Sequence, residues 1–139
     1  MKLRNIYPLL FLLVLTTGCT FDKEKAIKDG AVVADISQVH NLEQFNDFVE
    51  AISNSEEANV RVYSMNEEGG AVKIDIKYTN ERFHTTFDYA NDKYGPNGKE
   101  RVECQSFIVE DNIFSLTECD GETETVFILD ATNSAEENK

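Results

Sequence analysis

The sequence predicts an α+β fold, with one N-terminal amphipathic helix packed on an antiparallel meander of about six strands. Three observations carry this expectation. Apolar residues recur at helical spacing once, between Phe45 and Ile52. From Asn59 onward the apolar period falls from 3.6 to 2. The alternating runs are short, and clusters of Gly, Asn, Asp and Glu turn the chain between them.

Ala31 to Val39 is read first, as room for a short strand through Val32 and Val33. Asn41-Leu42-Glu43-Gln44 then opens the helix. The Asn41 side chain is placed to cap free backbone N–H groups, and Gln44 stands where a capping box wants Glu or Gln. Phe45, Phe48, Val49 and Ile52 follow at i, i+3, i+4 and i+7, which places them on one helix face. Ser53-Asn54-Ser55 ends a helix of about 12 residues.

Val60, Val62 and Tyr63 begin a strand that ends at the Glu67-Glu68-Gly69-Gly70 turn. Val72, Ile74, Ile76 and Tyr78 alternate with Lys73, Asp75 and Lys77. Phe83, Thr85, Phe87 and Tyr89 alternate with His84, Thr86 and Asp88. A hairpin centred between Asn80 and Glu81 sets Tyr78 opposite Phe83, Ile74 opposite Phe87 and Val72 opposite Tyr89. It also sets Lys73 opposite Asp88 and Lys77 opposite His84. A slip of one residue would bury the charges, so one-face burial selects this register. Asn91 to Gly98 is dense in turn formers and reads as a loop. Strands near Arg101–Val109, Phe114–Cys119 and Thr125–Leu129 complete the meander.

A hairpin centred at Asp111-Asn112 places Val109 opposite Phe114, Phe107 opposite Leu116 and Cys104 opposite Cys119. The two cysteines are expected to form a disulfide. A bridge favours the closer, non-hydrogen-bonded kind of cross-strand pair. A four-residue loop, Glu110 to Ile113, gives that pair and is the loop expected.

The N-terminus has its own pattern. Lys2 and Arg4 precede an apolar run from Ile6 to Leu15, too short for a helix that crosses a bilayer. Thr16-Thr17-Gly18 then stands directly before Cys19. This order describes a secretory signal peptide, and the small residues before Cys19 resemble the lipobox of bacterial lipoproteins. Thr16 replaces the Leu usual three residues before the cysteine, with Leu15 one place earlier. The resemblance implies cleavage between Gly18 and Cys19 and a diacylglycerol lipid anchor on the Cys19 sulfur, later carrying palmitate. It implies a location on the extracytoplasmic face of the cell membrane. The expected organisation is a signal peptide at 1–18, a lipidated tether at 19–30, one domain at 31–130 and a polar, frayed tail at 131–139.

The chain carries 13 basic and 26 acidic side chains, and without Lys2 and Arg4 it carries 11 against 26, a net charge of −15. Phosphates repel such a chain, which excludes nucleic acid as a partner and disfavours direct docking on anionic headgroups. The expected membrane attachment is therefore the lipid alone.

Little points to chemistry. The acidic turns lack the oxygen spacing of an EF-hand loop. His40 and His84 are the histidines, and no His-x-x-x-His or Cys-x-x-Cys is present. No metal or other cofactor is expected. Ser106 and Ser115 sit in strands and not on a Gly-x-Ser-x-Gly elbow, so no catalytic residue is assigned. Tyr63, Tyr78, Phe83, Phe87, Tyr89 and Tyr94 either form the core under the helix, the favoured reading, or line a concave ligand face.

The order of these pieces resembles small lipoproteins of bacilli classed as a domain of unknown function. The resemblance spans roughly Lys28 to Leu129. It rests on Lys28-Asp29-Gly30 with Val32-Val33, Asn41-Leu42 with Phe45 and Phe48, and Arg61 with Tyr63. It rests also on Phe87-Asp88 with Asp92-Lys93-Tyr94-Gly95, and on Cys104 with Cys119. Family proteins commonly carry Phe at the position of Tyr94. The resemblance implies a fold and no enzyme chemistry. The expectation is a non-enzymatic, membrane-tethered binding or accessory module, with a protein partner of unspecified identity. The alternatives are a small-ligand or ion sensor, then a cell-envelope hydrolase.

Overall fold

A computed structural model describes residues 20–134. Gly18 and Cys19, expected to flank the cleavage site, lie outside the described residues. The elements run α1 (Lys23–Lys28), β1 (Val32–Ala34), β2 (Val39–His40), α2 (Leu42–Ser53), β3 (Ala58–Met65), β4 (Ala71–Thr79), β5 (Arg82–Asn91), β6 (Lys99–Glu110), β7 (Ile113–Cys119) and β8 (Thr125–Asp130). A 3-10 turn, Thr132–Ser134, follows.

The fold class is mixed α+β, as expected, but the count differs. Among the described residues eight strands form one sheet in the order β2-β1-β3-β4-β5-β6-β7-β8, where about six were expected, and two α-helices stand in place of one. The sheet is not a pure antiparallel meander. β1 pairs parallel to β3, Val32 against Val62 and Ala34 against Ser64. A parallel pair needs a crossover, and the segment through β2 and α2 supplies it.

α2 fills the hollow of the curled sheet. Phe45, Phe48 and Ile52 are its buried face. They meet Val60, Val62, Ile74, Ile76, Phe83, Phe114 and Leu116 from the sheet in one core cluster. The Phe45 ring packs edge-on to Phe114 at 5.0 Å. The two ends of the sheet approach each other: the Val39 N–H in β2 donates to Ser134 Oγ beyond β8 at 3.0 Å. Residues 131–134, expected to fray, are thus held, with the Ala131 N–H also donating to Asn112 O.

The segment 19–30 was expected to be a flexible tether. Instead Lys23–Lys28 is helical and covers the outer side of β1 and β3. Asp22 caps it by accepting from the Lys25 N–H at 2.9 Å, and Gly30 leaves it at φ 85, where a side chain is strained. The Phe21 ring packs tilted against Tyr63 with centroids 4.7 Å apart, and Ala26 is buried. The sequence offers too few apolar residues here to show a periodic face, so only the docked partner reveals the helix.

Asn41 precedes α2 as expected but does not cap it. Its backbone is left-handed (φ 55), and its Nδ2 donates to Ile27 O at 2.8 Å and Ala31 O at 2.9 Å. The Ile27 carbonyl in the last turn of α1, which also accepts from the Gly30 N–H at 3.0 Å, takes the side chain that the α2 N-terminus would have used.

In the β4–β5 hairpin Tyr78 faces Phe83, Ile74 faces Phe87, Lys73 faces Asp88 and Lys77 faces His84. The Asn80-Glu81 turn has φ 52 and 59, the left-handed pair that two-residue hairpins favour. Val72 does not face Tyr89, because a bulge between Ala71 and Lys73 shifts the register.

The β6–β7 loop has two residues and not the four expected. Glu110 pairs with Ile113 across Asp111-Asn112, at φ 51 and 63. Simple alternation from this turn would leave the cysteines as a wide pair. Yet Cys104 and Cys119 are opposed with Cα atoms 3.9 Å apart and are joined by a disulfide. Glu118 adopts φ 54, and the Asp120 N–H donates to Glu103 O at 2.8 Å. The hydrogen bond thereby falls on the neighbouring pair, and the cysteines take the close position.

Candidate functional site

Alternation in β3 to β6 sends Val60, Val62, Ile74, Ile76, Phe83 and Phe87 inward and their neighbours outward. The registers arrange those outward residues as a grid. One row across the sheet holds Tyr63, Lys73, Asp88 and Lys99. The next holds Arg61, Asp75, Thr86 and Arg101. A third holds Asn59, Lys77, His84 and Glu103, with Arg82 beyond it.

Arg61 Nε donates to Asp75 Oδ1 at 2.6 Å, and this hydrogen bond raises the guanidinium further above its ordinary pKa. Lys73 Nζ lies 3.5 Å and Lys99 Nζ 3.4 Å from Asp88. Asp88 accepts from the Ala90 N–H at 3.0 Å. That bond first, and then Lys99 and Lys73, hold its carboxyl below the usual range against the opposing effect of burial. Arg82 reaches Asp120 at 3.1 Å and Glu103 at 3.7 Å, and His84 Nδ1 lies 3.2 Å from Glu103.

The balance of this face opposes that of the chain. Arg61, Lys73, Lys77, Arg82, Lys99 and Arg101 stand on it against Asp75, Asp88 and Glu103, with Asp120 beside Arg82 and Asp29 at the groove edge. Lys77 and Arg101 are exposed, and neither has an ion pair with a described residue. An open groove of about 750 Å³ runs between α1, at Ala26, Asp29 and Gly30, and the side chains of Arg61, Lys77, His84 and Thr86. The carboxylates at its edge are engaged: Asp29 by Lys25 and Asp75 by Arg61.

The hairpin register in the sequence already set Lys73 against Asp88 and Lys77 against His84. It did not show that Lys99, Arg101 and Glu103 extend the same face, because the loop 91–98 hides the β5–β6 register. Of the aromatic set, Phe83 and Phe87 are buried and Tyr78 and Tyr89 pack against the core. Tyr63 lies outside against Phe21, and Tyr94 is 76% exposed. A second outward patch is apolar: Ile108 and Phe127 flank Ser115 across β6–β8, exposed 42% and 53%. Among the described residues, no three His, Cys, Asp or Glu side chains are placed to hold a metal ion. No helix among them is long and apolar enough to cross a membrane.

The fold and this face describe a small disulfide-bonded α+β domain with a curled sheet and a charge-segregated outer surface. The chain belongs to the family described as Domain of unknown function (DUF4362), whose model matches residues 28–117. No curated protein and no solved structure matches it.

Proposed function

We propose that the protein is a lipid-anchored, non-enzymatic binding module on the extracytoplasmic face of a cell membrane, with Gly18 lost on cleavage and Cys19 lipidated. The observation that carries the reading is the position of α1. Phe21, two residues past the cysteine that follows the apolar run, already packs on Tyr63, and the charged outer face starts beside that point. The engaged groove carboxylates support binding over acid–base chemistry, because each faces a cation and not the other. The groove also supports the second reading, a sensor for a small polar ligand.

Cells labelled with palmitate test the anchor. The wild-type chain is expected to carry the label and to yield an N-terminal peptide beginning at lipid-modified Cys19. Cys19→Ala is expected to drop to background. Label retained by Cys19→Ala, or an unmodified mature N-terminus in the wild type, contradicts the reading.

A further inference from the structure

We propose that the cationic face of β3–β6 docks on anionic phospholipid headgroups of the membrane that carries the anchor, with Lys77 and Arg101 as its free contacts. This rests on the lipid-anchor reading and deepens it. The overall charge of −15 argues for repulsion from such a surface only if charge is spread evenly, and it is not. Acidic side chains predominate elsewhere, so an anionic plane turns this face toward itself.

Three observations favour headgroups over a soluble anion. Two residues of chain reach at most about 7 Å, so a lipid on Cys19 holds Phe21, and Tyr63 beneath it, near the headgroup layer. Tyr63 opens the first row of the grid. Thr20, Phe21, Lys93 and Tyr94 line one cleft together with Glu68, and Tyr94 is 76% exposed. An exposed tyrosine beside a lysine suits the depth where an aromatic body meets lipid and its hydroxyl meets water. Finally, Lys77 and Arg101 lie about 10–12 Å apart by strand spacing, close enough to engage adjacent headgroups in a plane.

The test uses the chain beginning at Cys19, which keeps every described element. Cys104 and Cys119 are bonded to each other, so the Cys19 thiol couples selectively to a maleimide lipid. The coupled protein is placed on vesicles of phosphatidylcholine alone or mixed with phosphatidylglycerol, and lysine acetylation is followed by mass spectrometry. On the anionic vesicles Lys73, Lys77 and Lys99 are expected to react about fivefold more slowly than on the neutral ones, relative to Lys139. High salt is expected to abolish the difference. The pair Lys77→Glu and Arg101→Glu, both exposed, is expected to remove the protection of Lys73 and Lys99 while leaving the circular dichroism unchanged. Equal rates on both vesicles overturn the proposal. So does protection by added polyphosphate on neutral vesicles without protection on anionic ones, which assigns the face to a soluble polyanion. Because the coupling is chemical, failure of lipidation in cells is read separately and leaves this outcome intact.

Discussion

Asp35 ties α1 to the β1–β2 turn. Its carboxylate accepts from Lys23 Nζ, from the Ser37 N–H at 2.8 Å, from the Gln38 N–H at 2.9 Å, and lies 3.1 Å from His40 Nε2. Burial pushes this carboxyl up. The Lys23 hydrogen bond, then the two backbone N–H groups and His40, outweigh burial and hold it well below the usual carboxylate range. The folded pKa lies below the unfolded one, so the stability from Asp35 is complete above about pH 4 and is lost as pH falls toward the folded value. Asp35→Asn is expected to cost about 2–3 kcal/mol at neutral pH, as for hydrogen bonds to a charged group. Its urea midpoints should then fall less than those of the wild type on acidification below about pH 4. Parallel pH curves for the two proteins would show that the carboxylate charge contributes nothing.

At the scale of elements, α2 is the support on which the sheet curls. Phe48 is 3% exposed and sits mid-helix between Phe45 and Ile52. Phe48→Ala is expected to cost about 3–5 kcal/mol, because a large ring leaves a cavity the curved sheet cannot close. A loss under about 1 kcal/mol in a denaturant titration would mean the helix face is not packed. The hairpins teach a second lesson. Strict alternation between Ile74 and Phe87 made their register legible from residues alone. The same reasoning misplaced the β6–β7 loop, because the left-handed Glu118 changes the hydrogen-bond phase without disturbing any apolar residue.

At the scale of the molecule, two links hold the curled sheet, one across its ends and one within the β6–β7 hairpin. One is the Val39–Ser134 hydrogen bond between its ends. The other is the Cys104–Cys119 bridge, with a sequence separation of 15. In the chain-entropy model a loop of that length contributes about 3 kcal/mol, a large share of a typical stability of about 5–15 kcal/mol. Cys104→Ser with Cys119→Ser is therefore expected to lower the unfolding free energy by about that amount. Reduction of the wild type should reproduce the shift, and an unchanged urea midpoint after complete reduction would contradict it. Charge also acts at this scale: a chain at −13 presents one face where cations prevail.

The sequence by itself determined the mixed class, the single strong amphipathic helix, the β4–β5 register and the pairing of the two cysteines. Each is a local matter, in which side-chain period and turn chemistry are set within about 15 residues of chain. Tertiary structure decided the rest. The strand through Val32 and Val33 was legible in the residues, but its parallel pairing with β3 was not, because the crossover through α2 sets it. Lys23–Lys28 has no periodic apolar stripe and is helical because Phe21 and Ala26 find Tyr63 and β1. Asn41 gave up a cap to serve a carbonyl of another helix. The cationic face is the clearest case. Its members come from four strands spread between Arg61 and Glu103, and only hydrogen-bonded registers bring them to one surface, which net charge, a sum over the whole chain, conceals.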